Sequence, residues 1–111
     1  GPDDMDFAQL HDATAFTEVE CYENVGFAAE GEGPALIENE ETFLGGSIPV
    51  NTDGGMMSRG NAPGALGLAS VAESVWQLRG EADRRQVDGA EHGLITLGGY
   101  GPHAVSAILA A

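Results

Sequence analysis

Two short segments of this 111-residue chain contain side chains that could take part in proton transfer, and a third contains a hydrogen-bond donor. His11 and Asp12 are adjacent, while Tyr100 and His103 lie in and just after the run GGYGP. Imidazole, carboxylate and phenol groups can each act as a general base when they lie near a reacting atom. Asn61 cannot accept a proton, but its carboxamide can donate a hydrogen bond to an oxygen that gains negative charge. These five residues are the candidate catalytic groups.

Each candidate also has a purely structural interpretation. His11 and its neighbouring aspartate could fix a loop through hydrogen bonds. Asn61 could be the N-cap of the helix that follows it. Tyr100 could pack its ring in a turn, and His103 could be an ordinary residue beside a strand. The sequence leaves both interpretations open for all of them.

Composition and charge exclude several classes of partner. The formal net charge is −14, lysine is absent and the chain has four arginines. Nucleic acids and anionic membranes both require a basic surface, so we expect neither as a partner. Three arginines lie at residues 79–85, the one place where a phosphate or carboxylate could be held. The spacing of the three histidines matches no metal-ligand pattern, so no metal cofactor is expected.

Length and cysteine content indicate one small domain over residues 1–111. Cys21 is the only cysteine, so an internal disulfide is excluded, and we interpret this residue as a packed thiol. No secretory signal is visible, and with one cysteine this favours a reducing, cytoplasmic location.

Hydrophobic periodicity predicts an α/β fold. A short strand is expected at Phe7–Leu10, and an amphipathic helix at 16–25 that Gly26 ends. The strongest helical pattern follows Pro63 and stops at Gly80. Two apolar runs on either side of GGYGP predict adjacent strands joined by a tight turn.

The segment at residues 28–46 is acidic and interrupted by glycine, so it predicts a loop with one short strand at 35–38. In total the pattern predicts about two helices and four or five strands in a mixed sheet. Because several apolar segments read as buried on both faces, the sheet needs helical cover on each side. Two helices supply too little, so a further layer is expected from another copy or another part of a larger protein.

The order of the motifs resembles the C-terminal half of the thiolase family, and more narrowly its sterol-carrier or lipid-transfer branch. His11 and Asp12 resemble the His-Asp loop of that branch. GSIPVNTDGG at 46–55 resembles G-x-x-P-V-N-x-x-G-G, and GNAPGALG at 60–67 stands where the family has G-H-P-x-G-A-T-G. GGYG at 98–101 stands at the last glycine-rich loop of the family.

The resemblance implies a layered thiolase-like fold in which this chain supplies the C-terminal half of an active site. It implies that Gly60, Gly64, Gly98 and Gly99 let the backbone approach the substrate closely. Coenzyme A is then expected as part of the acyl substrate. The implied partners are an N-terminal thiolase half, a second copy in a homodimer and a small acyl-CoA-binding partner protein. On this interpretation the chain is a fragment, an isolated domain or one subunit of a larger protein.

The departures from the family pattern bear on the reaction. Asn61 replaces the family histidine, Thr96 stands near the position of the second cysteine, and the region of the nucleophilic cysteine is not in this chain. Neither replacement can supply the acid–base chemistry of thiolysis. Retro-aldol cleavage of a β-hydroxyacyl-CoA, including steroid side chains, needs no cysteine and is performed by relatives of this type. The alternative is a catalytically inactive lipid-binding or scaffold module.

Overall fold

One mixed sheet of three strands forms the centre of the fold. The computed structural model describes residues 1–98 and 103–111. Strand β1 (Phe7–Leu10) pairs in parallel with β2 (His92–Gly98), and β2 pairs antiparallel with β3 (Ala104–Ala110), which gives the spatial order β1-β2-β3. The predicted strand at 7–10 and the predicted pair of strands near the C-terminus are confirmed.

Four α-helices and two 3-10 turns connect and cover the strands. The α-helices are α1 (Ala15–Asn24), α2 (Gly33–Glu38), α3 (Gly55–Arg59) and α4 (Leu66–Arg79), and the 3-10 turns are Pro2–Asp4 and Asp83–Arg85. None of the helices in the described ranges has both the length and the apolar content needed to cross a bilayer.

The two main predicted helices correspond to α1 and α4. Thr14 is the N-cap of α1, and its side-chain oxygen accepts a hydrogen bond from the Thr17 N–H at 3.2 Å. Gly26 follows α1 with a φ of 85°, and Gly80 ends α4 with a φ of 71°. Both glycines hold the left-handed conformation that favours this residue at helix ends.

The strand predicted at 35–38 is wrong, because these residues belong to α2. Pro34 stands in the first turn of this helix, where its fixed φ suits a helix start. The Gly33 N–H at that end donates to Glu23 Oε1 of α1 at 3.0 Å. A side chain from another helix thus satisfies the start of α2, and local sequence cannot reveal such a contact.

The predicted number of elements is also corrected. The described residues contain three strands rather than four or five, and α2 and α3 are additional short helices. The apolar segment SIPVN makes only a single bridge, between Val50 and Ala8, and does not extend into a full strand.

The two faces of the sheet have different covers. On one face, α1 and α2 pack over β1 in a buried cluster. Its members are Ala8, Leu10, Tyr22, Leu36 and Val50. On the other face, α4 packs against β2 and β3.

Helix α4 has an unusual distribution of polarity. Its buried residues are all polar, namely Ser70, Glu73, Ser74 and Gln77. Its outward side exposes Leu68 at 73% and Trp76 at 46%, and the edge strand β3 exposes Val105 at 70%. Helices of soluble proteins normally turn their apolar side to the core, so this apolar surface is suited to contact with a further layer.

A buried polar network fixes α4 to the segment that follows it. Gln77 accepts the Val87 N–H at 2.8 Å and donates to the Arg85 carbonyl at 2.7 Å. The Arg85 guanidinium donates two hydrogen bonds to the Glu73 carboxylate, each at 3.0 Å. One of the three arginines that could have formed an anion site therefore has an internal partner.

We expect Gly93→Ala to destabilise the protein by about 1–3 kcal/mol, since a methyl group at this buried position would overlap the ring of Phe7. Urea unfolding measures this change. Gly67→Ala is the control, because the nearest atom to its added methyl group is Leu97 Cδ1 at 3.7 Å. Equal stability of the two variants would contradict the packing of Phe7 on β2.

Tyr22 predicts a loss of stability at alkaline pH. Burial raises the pKa of its phenol from 10.0 to about 12. A group whose pKa is raised on folding contributes stability that is complete below the unfolded pKa and is lost as the pH rises through the folded pKa. The free energy of unfolding should therefore fall between pH 10 and 12. The free energy of unfolding of Tyr22→Phe should fall less over this range. Parallel pH profiles for the two proteins would show that the Tyr22 phenol does not cause the loss.

Candidate active site

An open cleft of about 690 Å³ lies between the start of α4 and the strands β2 and β3. Most of its lining is apolar or glycine. These residues are Pro63, Gly64, Leu66, Gly67 and Val71 from the segment that enters and begins α4, Ile95, Leu97 and Gly98 from β2, and Val105 and Ala107 from β3. His11 and Asn61 are the polar side chains among the described residues that line it.

The register of the sheet explains the apolar wall. Ile95 pairs with Ala107 and Leu97 pairs with Val105, so these four side chains share one face of the sheet. None of the four was among the site residues predicted from the sequence. Their alternation at every second position was the signal that could have identified them.

A smaller depression of about 310 Å³ lies on the outer side of α1 and is lined by Glu20, Glu23, Asn24 and Glu30. Its described lining includes neither a cationic group nor an apolar wall. We assign the candidate site to the larger cleft, because that cleft combines an apolar wall with an imidazole and a carboxamide.

The His11 ring is held against the end of β2. The Gly98 N–H donates to His11 Nδ1 at 3.2 Å, and a Cβ at position 98 would lie 3.7 Å from three atoms of the ring. Since Nδ1 accepts this bond, the proton of the neutral ring is on Nε2. In this arrangement His11 offers a ligand an N–H donor rather than a free lone pair.

Asp12 anchors the loop that carries His11. Its carboxylate is 1% exposed and accepts the Met56 N–H at 2.8 Å and the Met57 N–H at 3.5 Å at the start of α3. Gly55 has a φ of 60°, and a Cβ there would overlap the carboxylate of Asp12. The geometry therefore supports the loop-fixing interpretation of Asp12, with both carboxylate oxygens directed at α3.

Asn61 lies in the turn between α3 and α4 and is exposed. The N-cap position of α4 is Ala65, so the interpretation of Asn61 as the helix cap is wrong. Its position at the cleft leaves the carboxamide available to a bound ligand.

Four of the predicted site residues come together in the cleft, namely His11, Asn61, Gly64 and Gly98. Others lie elsewhere or are not described. Gly60 ends α3 with a φ of 93°, and His103 is exposed before β3. Neither is among the described residues that line the cleft. Tyr100 and Gly99 lie outside the described residues.

Two residues bear on cysteine chemistry. The Cys21 thiol is half-buried and donates to the His11 carbonyl at 3.7 Å, and burial raises its pKa, which keeps it protonated. Thr96 lies on the opposite face of the sheet from the cleft wall, with its hydroxyl 3.0 Å from that of Ser106. Within the described ranges, no three His, Cys, Asp or Glu side chains are grouped so that they could hold a metal ion.

Comparison with known proteins identifies the family. The family described as thiolase C-terminal domain-like matches residues 1–111. The chain belongs to this family. The resemblance inferred from the motifs is confirmed, and so is the thiolase-like α/β fold.

Similar proteins include an acetyltransferase, a sterol carrier and an aldolase. The acetyl-CoA acetyltransferase of Methanothermobacter thermautotrophicus is 46% identical over 90% of this chain and 26% of its own length. Sterol carrier protein 2 of Rattus norvegicus is 45% identical over 95% of this chain and 19% of its own. The solved structure of an Ltp2-ChsH2(DUF35) aldolase has a TM-score of 0.85 and 30% identity, and the match covers all of this chain and 28% of that one. The chain thus spans about a quarter or less of the length of the acetyltransferase and of the sterol carrier protein.

We expect Asp12→Ala to destabilise the protein by about 1–3 kcal/mol, because it leaves buried N–H groups of α3 without an acceptor. Asp12→Asn retains one acceptor oxygen and should cost less. Chemical unfolding of both variants, measured beside turnover, checks the assignment. A large loss of turnover in Asp12→Asn with unchanged stability would indicate instead that Asp12 is a base.

Proposed function

We propose that this chain is the C-terminal portion of a thiolase-like enzyme that acts on a carbon–carbon bond of an acyl-CoA thioester. We further propose that the reaction is the retro-aldol cleavage of a β-hydroxyacyl-CoA. The observation that carries this proposal is the presence of two hydrogen-bond donors, His11 and Asn61, at an apolar cleft whose described lining contains no thiol.

The proposed reaction balances without a cysteine nucleophile. A base removes the proton of the β-hydroxyl group, the Cα–Cβ bond breaks, and a ketone or aldehyde departs. The bonding electrons form a thioester enolate, which takes up a proton at Cα to give a shortened acyl-CoA. The enolate oxygen carries the developing charge, and donors that are already oriented towards it lower the barrier.

His11 and Asn61 are suited to hold that oxygen. With Nδ1 occupied by the Gly98 N–H, the imidazole presents its Nε2 proton. The Asn61 carboxamide, from the segment between α3 and α4, supplies the second donor at the cleft. The sequence offers four candidate bases, His11, Asp12, Tyr100 and His103. With His11 as a donor and Asp12 bonded to α3, we propose that the base is Tyr100 or His103.

The same residues argue against ordinary thiolysis. That reaction needs a histidine that takes a proton from a thiol and a second cysteine whose thiol takes part in proton transfer. Asn61 replaces the first group, and Thr96, at the position of the second, faces away from the cleft wall. Similarity to a solved aldolase supports the lyase assignment, while similarity to an acetyltransferase supports acyl transfer as the nearest alternative.

The exposed apolar surface of α4 suggests a further protein layer, and the other proposed partners rest on the family resemblance. We propose that an N-terminal thiolase portion covers the side of α4 that exposes Leu68 and Trp76. Coenzyme A enters as part of the substrate. The similar solved structure is that of an Ltp2-ChsH2(DUF35) aldolase, and its two-part name supports a second protein as a partner. That this partner is small and binds acyl-CoA remains a prediction from the family resemblance. A homodimer remains a prediction from the family resemblance.

The apolar lining favours a second candidate function. A cleft of about 690 Å³ with mostly apolar walls could hold a lipid chain without any chemistry. On this hypothesis the chain is part of a binding or scaffold module, and His11 and Asn61 only orient the polar end of the ligand.

The test uses the full-length protein that contains this chain, with products identified by mass. We expect a β-hydroxyacyl-CoA to yield a ketone or aldehyde and a shortened acyl-CoA. A 3-oxoacyl-CoA with free CoA should give no product, and cleavage of this substrate alone would contradict the proposal. Binding of both compounds without turnover would favour the lipid-binding module.

Asn61→Ala should lower kcat by about 100-fold, which corresponds to roughly 3 kcal/mol for one lost donor to the enolate. The side chain is exposed, so the free energy of unfolding should change little. Asn39→Ala is the matched control, because Asn39 is an exposed asparagine at the end of α2. An unchanged kcat in Asn61→Ala would remove Asn61 from the proposed site.

A further inference from the structure

The segment before α3 runs beside β1 and then leaves it abruptly. The Ala8 N–H donates to the Pro49 carbonyl and the Asn51 N–H donates to the Ala8 carbonyl, each at 2.9 Å. These two bonds are the pattern of a parallel strand pair centred on Val50. At Asn51 the backbone turns out of the strand with a φ of 49°. The next peptide of a continuing strand would have paired with Leu10.

The side chain of Asn51 takes the place of that missing peptide. Its Oδ1 accepts the Leu10 N–H at 2.9 Å, and its Nδ2 donates to the Leu10 carbonyl at 3.2 Å. The second proton of Nδ2 goes to Glu18 Oε1 of α1 at 2.9 Å. Asn51 is 9% exposed, so the carboxamide has little access to water, and both of its N–H groups and its oxygen are bonded to protein.

The Asn51 side chain, by bonding Leu10 in place of a continuing strand, has two effects. Leu10 directly precedes His11. The Asn51 side chain therefore fixes both the N–H and the carbonyl of the residue before the imidazole. The chain that turns away at Asn51 forms the start of α3, to which the Asp12 carboxylate binds. A strand that continued beside Leu10 would satisfy the backbone but would not form this turn.

We propose that Asn51 is a positioning residue for His11, an inference that rests on the proposed role of His11 in the cleft. Asn51 sets the direction in which the chain leaves β1, and that direction places Nδ1 of His11 on the Gly98 N–H. A carboxamide is required because the position needs one acceptor and two donors. Aspartate has the same shape but cannot donate, and it would direct a carboxylate at the Leu10 carbonyl and at Glu18.

The test is Asn51→Asp in the full-length protein, with two separate measurements. The first is the steady-state rate, for which we expect kcat to fall about 100-fold while KM changes little, as a misplaced donor loses transition-state contacts. The second is ¹⁵N NMR of histidine-labelled protein, with the His11 signals assigned from a His11→Gln variant. In the parent protein Nδ1 should carry no proton and Nε2 should carry one. In Asn51→Asp the two nitrogens should become more alike as the tautomers mix.

Two further variants keep the test decisive. Asn24→Asp makes the same chemical change at an exposed position on the last turn of α1 and should alter neither measurement. If Asn51→Asp does not fold, the double variant Glu18→Gln with Asn51→Asp removes the contact between two carboxylates while the Leu10 carbonyl still lacks its donor. This variant should fold and retain the mixed His11 tautomers.

The outcomes separate this inference from the proposed function. Unchanged His11 resonances together with an unchanged kcat in Asn51→Asp would overturn the positioning role. Failure of both Asn51 variants to fold would overturn it as well, because Asn51 would then determine the whole fold rather than His11. If the parent protein cleaves no substrate, the proposed function fails, while the NMR measurement still decides whether Asn51 orients the imidazole.

Discussion

The position of β1 between two parallel neighbours is the constraint on which the rest of the structure depends. All four of its residues are buried, with β2 hydrogen-bonded on one side and the segment around Val50 on the other. Irregular backbone in this place would be costly, because buried peptide groups need hydrogen-bond partners. The residues that follow it, His11 and Asp12, are therefore delivered to one defined point at the end of the sheet.

Three glycine-containing segments lie near the loop that carries His11 and Asp12 or near its cleft. Gly55 allows the Asp12 carboxylate to approach α3, and Gly98 provides the N–H that holds the His11 ring. Gly64 lines the same cleft from the start of α4. In the proposed reaction the substrate would lie in this cleft, where Gly64 and Gly98 have no side chains to fill the space.

The polarity of α4 explains why this chain is suited to a larger assembly. Glu73 and Gln77 face inward, where Arg85 and backbone groups satisfy them, so specific hydrogen bonds hold this part of the helix. The apolar residues Leu68 and Trp76 are left outside. Such a helix is stable in the middle of a layered fold, where a second layer provides the hydrophobic contact that the first does not.

The sequence by itself determined the family, the α/β class, β1, α1, α4 and the final strand pair. These features depend on local signals, namely hydrophobic periodicity, glycine at helix ends and the order of short motifs. Asn61 and His11 could be recognised as candidates for the same reason, since their motifs are contiguous.

Only the tertiary structure decided what these residues contact. The start of α2 depends on Glu23 from another helix, the tautomer of His11 depends on Gly98, which is 87 residues away, and Asn51 acts on Leu10 across 41 residues. The strand predicted at 35–38 failed because such a contact outweighed a weak local preference. Local sequence sets which conformations each segment favours, whereas hydrogen bonds between distant segments form only after the chain has folded. At this site they fix the positions of His11 and Asp12.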